Sequence, residues 1–222
     1  MNPCTPGLTQ ACEDRDFVQW HQGCPWCAVW VVRVDVPAMQ SLVHAARLHL
    51  AAALLPRYER QAHVTVAYRG LMAGTQAHAA AEFGSAELQR DIALLQNASV
   101  PPLAVQVQGA GSFTTVPYLA VQAGQPLLQL HEALSTQASY PGWTYVPHVT
   151  LGHYARQMSM EQVLAQLQAC LGDDVLWRTV ADAVWLARYR THDIAGALSW
   201  EGRFDLRTRT YHAAPGALLS AS

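Results

Sequence analysis

The chain has 222 residues, of which 51% are hydrophobic and 14% are charged, and its net charge is −2 with neutral histidines. This composition is typical of a compact soluble domain and excludes an intrinsically disordered chain. The sequence contains no lysine, which excludes a lysine nucleophile, a P-loop lysine and nucleotidyl transfer through a lysyl adduct. Because there is no basic excess, we expect no duplex DNA partner.

The first 27 residues are rich in proline and glycine and predict an irregular N-terminal extension, 1–27. They lack a basic start followed by an apolar run, so we expect no secretory signal, and no apolar stretch of the chain is long enough to span a bilayer. We therefore expect a cytoplasmic protein without a membrane partner, and we favour a monomer. The five cysteines are an odd number, which favours reduced thiols.

Beyond this extension the residue pattern predicts strands interleaved with helices. β-Branched runs and alternation indicate the strands, whereas proline starts and apolar residues at helical spacing indicate the helices. The predicted strands are 28–36, 63–72, 103–109, 118–123, 147–154, 179–190 and 197–207, and the predicted helices are 37–55, 85–98, 126–138 and 159–172. The order of elements is similar around two of the strands. We therefore predict two similar α/β lobes in one domain, 28–208, followed by a flexible tail, 209–222.

Those two strands share the tripeptide His-Val-Thr. It occurs at His63–Thr65 and again at His148–Thr150, 85 residues further along the chain. Side chains alternate between the faces of a strand, so each histidine shares a face with its own threonine, at about 6.5–7 Å. If the two strands are neighbours, two imidazoles and two hydroxyls converge on one cleft. The alternative from these residues alone is two partly buried histidines beside threonines of high strand propensity.

This set of groups suits displacement at phosphorus. One imidazole can act as the base on the attacking oxygen and the other as the acid on the leaving oxygen, because imidazole titrates near neutral pH. Threonine hydroxyls can donate hydrogen bonds to non-bridging phosphate oxygens. None of these roles needs a metal ion, and no carboxylate cluster indicates magnesium. We therefore expect no cofactor.

The two motifs, together with "GAGSF" at 109–113, "YVPHVTLGH" at 145–153 and the last two strands, resemble the 2H phosphoesterases. The resemblance is to the LigT-like branch, which is labelled 2′-5′ RNA ligase or RNA 2′,3′-cyclic phosphodiesterase, and it covers 28–208. It implies an α+β, bilobal fold in which two pseudo-symmetric lobes with antiparallel sheets flank a central cleft, with the helices outside.

The resemblance also implies functional roles. His63 and His148 would be the catalytic acid and base, and Thr65 and Thr150 would bind the phosphate. The reaction would be the opening of a 2′,3′-cyclic phosphate on an RNA end or small nucleotide to a 2′-phosphate, with reversible 2′-5′ ligation as the related reaction. The chain departs from many relatives at His153, where they carry arginine.

Two other functions stay open at this point. One is hydrolysis of another diester, such as 2′-5′ oligoadenylate, a cyclic oligonucleotide or an ADP-ribose cyclic phosphate. The other is a non-catalytic module that binds nucleotides or RNA ends.

Four further residues are candidate substrate contacts. By alternation, Arg69 and Tyr154 fall on the cleft faces of their strands, with a place at the rim as the alternative. Trp143 and Tyr145 precede the second motif and are candidates for stacking on a base, with packing against a loop as the alternative. The segment "CPWC" makes Cys24 and Cys27 a weak metal candidate, because a single CxxC pair has low specificity.

Overall fold

The computed structural model describes residues 7–13, 18–135, 144–171 and 175–220. Its helices are α1 (Val18–His21), α2 (Pro37–His49), α3 (Ser85–Ala98), α4 (Gln125–Ser135) and α5 (Met160–Leu171). Its strands are β1 (Trp26–Arg33), β2 (His63–Met72), β3 (Leu103–Ser112), β4 (Pro117–Ala123), β5 (His148–Thr150), β6 (Val175–Ala181), β7 (Ala183–Arg190), β8 (Ser199–Asp205) and β9 (Thr210–Ala213). The predictions for β2 and α3 are confirmed at both ends.

The strands form two antiparallel sheets. The first sheet has the order β2-β1-β7-β8-β9 and the second has the order β5-β4-β3-β6. Helices α3 and α4 pack together, with α4 on β2, whereas α2 and α5 pack together against β6 and β3. We call the first sheet with α3 and α4 the first lobe, and the second sheet with α2 and α5 the second lobe. The predicted α+β fold of two antiparallel sheets with helices is confirmed.

The two lobes exchange helices. In chain order α2 connects two strands of the first sheet, yet it packs in the second lobe. Likewise α4 connects two strands of the second sheet and packs in the first lobe. One hydrophobic core runs through both lobes, from Trp30 in β1 to Leu167 in α5. The two lobes therefore share one core.

The exchange brings β2 and β5 together, and each of these is the edge strand of its sheet. These are the two strands that carry the His-Val-Thr motifs. The hydroxyl of Tyr145, just before β5, donates to the backbone carbonyl of Thr65 in β2 at 2.8 Å. The two motifs therefore face each other from the edges of different sheets.

A buried carboxylate fixes α3 beneath the first sheet. Asp91 has no exposed surface and accepts hydrogen bonds from Arg69 Nε and Nη2, each at 2.8 Å. It also accepts a hydrogen bond from Trp30 Nε1 at 2.8 Å. A buried charge is tolerated when it is paired and hydrogen-bonded, as it is here. This network connects β1, β2 and α3.

Two predictions about strands are wrong. The single strand over 179–190 is two strands, because the chain leaves the second sheet after β6 and joins the first sheet as β7, with a break at Asp182. Alternation continues through the break, so the pattern did not reveal it. The second motif strand, predicted over 147–154, ends at Thr150 because Gly152 adopts a positive φ of 150°.

The chain ends also differ from the prediction. The tail over 209–222 is not wholly flexible, because residues 210–213 form β9 on the edge of the first sheet. The buried carboxylate of Glu201 then accepts hydrogen bonds from the amides of Leu218 and Leu219 at 2.8 and 3.0 Å. The predicted irregular extension 1–27 is not irregular throughout, because Val18–His21 form α1 and β1 begins at Trp26. Residues 7–13 have no helix and lie against the second lobe, where Thr9 N donates to Met158 O at 2.8 Å.

Among the described residues, no helix is both long enough and apolar enough to cross a membrane.

We predict that Asp91→Asn destabilises the protein by about 3–5 kcal/mol, because it leaves the Arg69 guanidinium buried without its counter-ion. Urea unfolding followed by circular dichroism measures this change. Arg90→Gln is the matched control, since Arg90 pairs with Glu87 at the surface and exposed pairs contribute about 0–1 kcal/mol. Equal losses for the two variants would contradict a structural role for the buried pair.

Candidate active site

The two motif histidines are held by the same local hydrogen bond. His63 Nδ1 lies 2.7 Å from the carbonyl oxygen of Gln61, and His148 Nδ1 lies 2.6 Å from that of Val146. A carbonyl oxygen only accepts, so Nδ1 carries the proton in both rings. Nε2 of each neutral ring is then an acceptor. Each strand thus presents an imidazole with a fixed tautomer, suited to taking up a proton at Nε2.

Burial keeps both imidazoles neutral in the ligand-free protein. It lowers the pKa of His63 from 6.5 to about 4; the Gln61 carbonyl opposes this, and the charges of Arg60 and His148 add to it. Burial also lowers the pKa of His148, against the opposing effect of the Val146 carbonyl. The charge of a protonated His148 would lower the pKa of His63 further, as expected for rings on strands that are in contact.

The threonine of the second motif lies near the segment that connects α2 to β2. Burial raises the pKa of Tyr58, and the nearby side chain of Thr150 opposes the rise. Tyr58 lies in the segment between α2 and β2, and its ring packs edge to face on His153 at 5.8 Å between centroids. Together with the bond from Tyr145 to Thr65, this contact crosses between the motif strands.

Aromatic rings form the wall beside His148. Phe113 and Tyr118 each lie 5.1 Å from the imidazole, centroid to centroid, and 4.6 Å from one another. Tyr118 occupies space that a side chain at Gly111 would fill, since a Cβ there would lie 2.4 Å from its hydroxyl oxygen. The "GAGSF" segment therefore supplies the ring of Phe113 and, at Gly111, the space that the ring of Tyr118 occupies.

The wall beside His63 is different, because it carries a cation. Arg33 in β1 is the direct cross-strand partner of His63 and lies on the same face of the sheet. Its guanidinium carbon lies 4.6 Å from the Trp185 ring and 4.4 Å from the Trp200 ring. Asp35 pairs with the guanidinium at 3.1 Å. We call Arg33, Trp185 and Trp200 the aromatic ledge. All three are partly exposed.

Arg69 does not lie on the cleft face, so the prediction from alternation is wrong. Val66 and Arg69 have no Cα partner in β1 and form two bulges in β2. A bulge reverses the face of the residues that follow it. Arg69 therefore points to the helix side, where it pairs with Asp91. Tyr68 takes the cleft side instead and packs against a small apolar cluster there.

Tyr154 is also away from the cleft. It is fully buried in the main core, and its hydroxyl lies 2.6 Å from Ser112 Oγ. The strand ends before Gly152, so alternation no longer applies at Tyr154. The ring of Tyr145 stacks on His131, with 3.8 Å between centroids, and its hydroxyl binds the Thr65 carbonyl. Tyr145 thus has the packing role that we gave as the alternative. Trp143 lies outside the described residues.

Cys24 and Cys27 are buried free thiols. Burial raises the pKa of Cys27 to about 11, so its thiolate form is disfavoured at neutral pH. Within the described residues no group of three or more His, Cys, Asp or Glu side chains is placed to hold a metal ion.

The segment 57–61, which leads into His63, contains site residues that the sequence did not single out. Gln61 exchanges two hydrogen bonds with the backbone of Leu198, at 2.8 and 3.2 Å. Arg60 Nε donates to the carbonyl of Gly196 at 3.2 Å. The loop between β7 and β8 thus fixes this segment, and Tyr58 and Arg60 with it. An irregular segment has no period, so only its closeness to the motif pointed to these residues.

Comparison with known proteins agrees with this geometry. The sequence profile described as the 2′-5′ RNA ligase superfamily matches residues 31–193. No curated protein sequence matches the chain.

Three solved structures share the fold at low sequence identity. E. coli LigT complexed with 3′-AMP is 16% identical, with a TM-score of 0.56, over 82% of this chain and 97% of that one. The protein TT0787 of Thermus thermophilus is 17% identical, with a TM-score of 0.54, over 82% and 98%. A structure described as a phosphoesterase is 16% identical, with a TM-score of 0.53, over 82% and 98%.

The profile match covers most of the chain, and the solved structures share its fold. The chain therefore belongs to the 2′-5′ RNA ligase superfamily and is a LigT-like member of the 2H phosphoesterases.

Proposed function

We propose that this protein is a metal-independent phosphodiesterase that opens 2′,3′-cyclic phosphates on RNA ends or nucleotides to 2′-phosphates. The observation that carries the proposal is the pair of identically held imidazoles, His63 and His148, on facing strand edges. Each presents Nε2 as its reactive nitrogen. A diester opening needs one proton removed and one supplied, and two such groups meet that need.

The reaction proceeds by displacement at phosphorus. One neutral imidazole accepts a proton from water at Nε2 as the water oxygen attacks phosphorus. The bond from phosphorus to the 3′ oxygen breaks, and the other imidazole, protonated at Nε2, donates that proton to the leaving oxygen. Thr65 and Thr150 donate hydrogen bonds to the non-bridging oxygens, where negative charge increases in the transition state.

A nucleoside part of the substrate fits the aromatic ledge beside His63. Stacking on aromatic rings and on arginine planes holds bases without regard to sequence, and the ledge offers both kinds of surface. E. coli LigT, which shares the fold, has been crystallised with 3′-AMP and with ATP. Binding of a small nucleotide in this cleft is consistent with those relatives.

We expect His63→Ala and His148→Ala each to lower turnover of 2′,3′-cyclic AMP by more than about 10²-fold, because each removes one proton-transfer group. Turnover is measured by chromatography with EDTA present. His49→Ala is the control, since His49 is exposed at the end of α2. Near-wild-type turnover in either motif variant would contradict the proposal.

The same assay separates the other functions. Nucleotide binding without any turnover would identify a binding module, and turnover of 2′-5′ oligoadenylate, a cyclic dinucleotide or an ADP-ribose cyclic phosphate alone would identify a different diesterase. Product identity distinguishes a 2′-phosphate from a 3′-phosphate.

We expect a bell-shaped pH dependence with different optima for the two kinetic constants. Burial lowers the pKa of both histidines below 6.5, so the singly protonated pair is most populated on the acid side of that pH. The optimum of kcat/KM, which reports the free enzyme, should therefore lie below about pH 6.5. Bound phosphate favours imidazolium, so the optimum of kcat should lie at higher pH. A flat profile between about pH 5 and 9 would rule out this pair.

We expect Trp200→Ala to raise KM for 2′,3′-cyclic AMP by about 10- to 100-fold, the range expected from the loss of one stacking contact. Trp20→Ala, which removes an exposed indole from α1, is the control. The KM for methyl riboside 2′,3′-cyclic phosphate, which has no base, should stay unchanged. An equal rise for both substrates would show that the ledge does not bind the base.

A further inference from the structure

The second sheet has one face in the core and one face that is open. Helices α2 and α5 pack against this sheet, and alternate residues such as Val105, Val107 and Leu119 are buried in the core. The residues between them point the other way. On this open face Gln122 and Arg178 are exposed. The open face also carries the second motif, because Tyr118 and Ala120 of β4 are the cross-strand partners of Thr150 and His148.

Three glutamines on the open face are hydrogen-bonded to one another. Gln106 Nε2 donates to Gln122 Oε1 at 2.9 Å and to Gln108 Oε1 at 3.1 Å. Gln122 Nε2 donates to Gln108 Oε1 at 2.7 Å. We call these three residues the glutamine cluster. An amide has two N–H donors and an oxygen with two lone pairs, so the bonds within the cluster use only part of the capacity of Gln106 and Gln122. The cluster therefore presents oriented amides that can bind a polar ligand.

The strand register connects the glutamine cluster with the candidate active site. His148 is paired with Ala120 in β4, and Gln122 is the next residue of β4 on the same face. Gln122 is paired with Gln106 in β3, which is paired with Arg178 in β6. Neighbouring strands are about 4.8 Å apart, so this line crosses about 14 Å of open sheet from the motif strand to Arg178. The surface is therefore continuous with the face that presents His148.

The charge of the open face is positive. Arg178 is the only lysine, arginine, aspartate or glutamate in β3, β4, β5 and β6. Within the described part of the chain no carboxylate pairs with it. In the first sheet, by contrast, Arg33 pairs with Asp35 at 3.1 Å and Arg203 pairs with Asp205 at 2.6 Å. The second sheet thus has an exposed cation that is available to an anionic ligand.

We propose that the open face of the second sheet binds the single-stranded RNA that precedes the cyclic phosphate. The glutamine cluster hydrogen-bonds to the bases or riboses, and Arg178 pairs with a backbone phosphate. This inference rests on the proposed function, because it places the RNA end between His63 and His148. The terminal base occupies the aromatic ledge on the His63 side, so the preceding nucleotides leave the cleft past His148.

The chemistry of this face matches that of a single strand. Proteins recognise single-stranded RNA with exposed sheets that offer aromatic rings, side-chain amides and arginine to unstacked bases and to the backbone. Here Phe113 and Tyr118 lie beside His148, and the glutamine cluster and Arg178 follow across the sheet. Oriented amides favour bases and riboses, and an unpaired guanidinium favours phosphate.

The experiment compares the binding of two product-like ligands by isothermal titration calorimetry. One is an adenylate trinucleotide that ends in a 2′-phosphate, and the other is 2′-AMP, which ends before the glutamine cluster. The wild type should bind the trinucleotide more tightly. Arg178→Gln should weaken trinucleotide binding by about 10-fold, the lower end of the range for a hydrogen bond to a charged group. It should also make the slope of log K against log salt concentration shallower by about 0.7, the value for one contact to a single-strand phosphate.

Two further variants test the amides, and one serves as a control. Gln106→Ala and Gln122→Ala should each weaken trinucleotide binding by about 2- to 10-fold, the range for a neutral hydrogen bond. The affinity for 2′-AMP should stay at the wild-type value in these variants. Arg207→Gln is the control, because it removes an exposed arginine from the turn between β8 and β9 in the first lobe.

Three outcomes would overturn the proposal. Equal affinity of the wild type for the trinucleotide and for 2′-AMP would show that no nucleotide beyond the first is bound. Unchanged trinucleotide binding in Arg178→Gln would exclude the phosphate contact. Equal weakening in Arg178→Gln and Arg207→Gln would indicate a general effect of charge and no defined path.

The binding measurement is independent of turnover. Trinucleotide binding that depends on Arg178, in a protein that cleaves no cyclic phosphate, would support the RNA surface and refute the proposed activity. Cleavage of 2′,3′-cyclic AMP without any gain in affinity for the trinucleotide would support the activity and refute the RNA surface.

Discussion

The candidate site depends on two sheet edges that are held side by side in different sheets. β2 and β5 are in contact, and each brings one histidine and one threonine to the gap between them. The hydroxyl of Tyr145 donates to the β2 backbone, and the ring of Tyr58, just before β2, packs edge to face on His153, just after β5. The exchanged helices α2 and α4 also connect the lobes, and His131 of α4 lies within hydrogen-bond distance of the Val66 carbonyl in β2. Two edges that joined into one ladder would lie about 4.8 Å apart and leave no room for a phosphate.

The same local hydrogen bond orients both histidines. A backbone carbonyl two residues earlier in the chain accepts the Nδ1 proton, so both rings keep the same tautomer and a fixed orientation. Because this hydrogen bond is local, it is the same in both lobes, although the side chains around the two histidines differ. Burial then keeps the pKa of each ring below its usual value, and an incoming anion is needed to favour the protonated form. In the proposed reaction, proton transfer is thereby linked to occupation of the site.

The two walls of the cleft differ in chemistry, so the proposed site favours one orientation of the substrate. The second lobe places Phe113 and Tyr118 around His148. The first lobe places an arginine between two indoles beside His63 and a second arginine, Arg60, in the preceding segment. The aromatic ledge thus lies on the His63 side of the proposed phosphate position, and two aromatic rings without an arginine lie on the His148 side. A substrate with a base and a phosphate fits this asymmetry better than a symmetric anion does.

The sequence by itself determined the local features: two identical His-Val-Thr tripeptides in strands, a histidine and a threonine on one face of each, and most element positions. These follow from short-range rules of period two and of helix starts. Only the tertiary structure decided which face of a strand each side chain occupies and which loops come into contact. The bulges at Val66 and Arg69 reversed the expected face, and Gly152 ended the second motif strand before Tyr154. The aromatic ledge joins the site through pairing across long sequence separations, and that pairing is specified by packing of the whole core and by no local pattern.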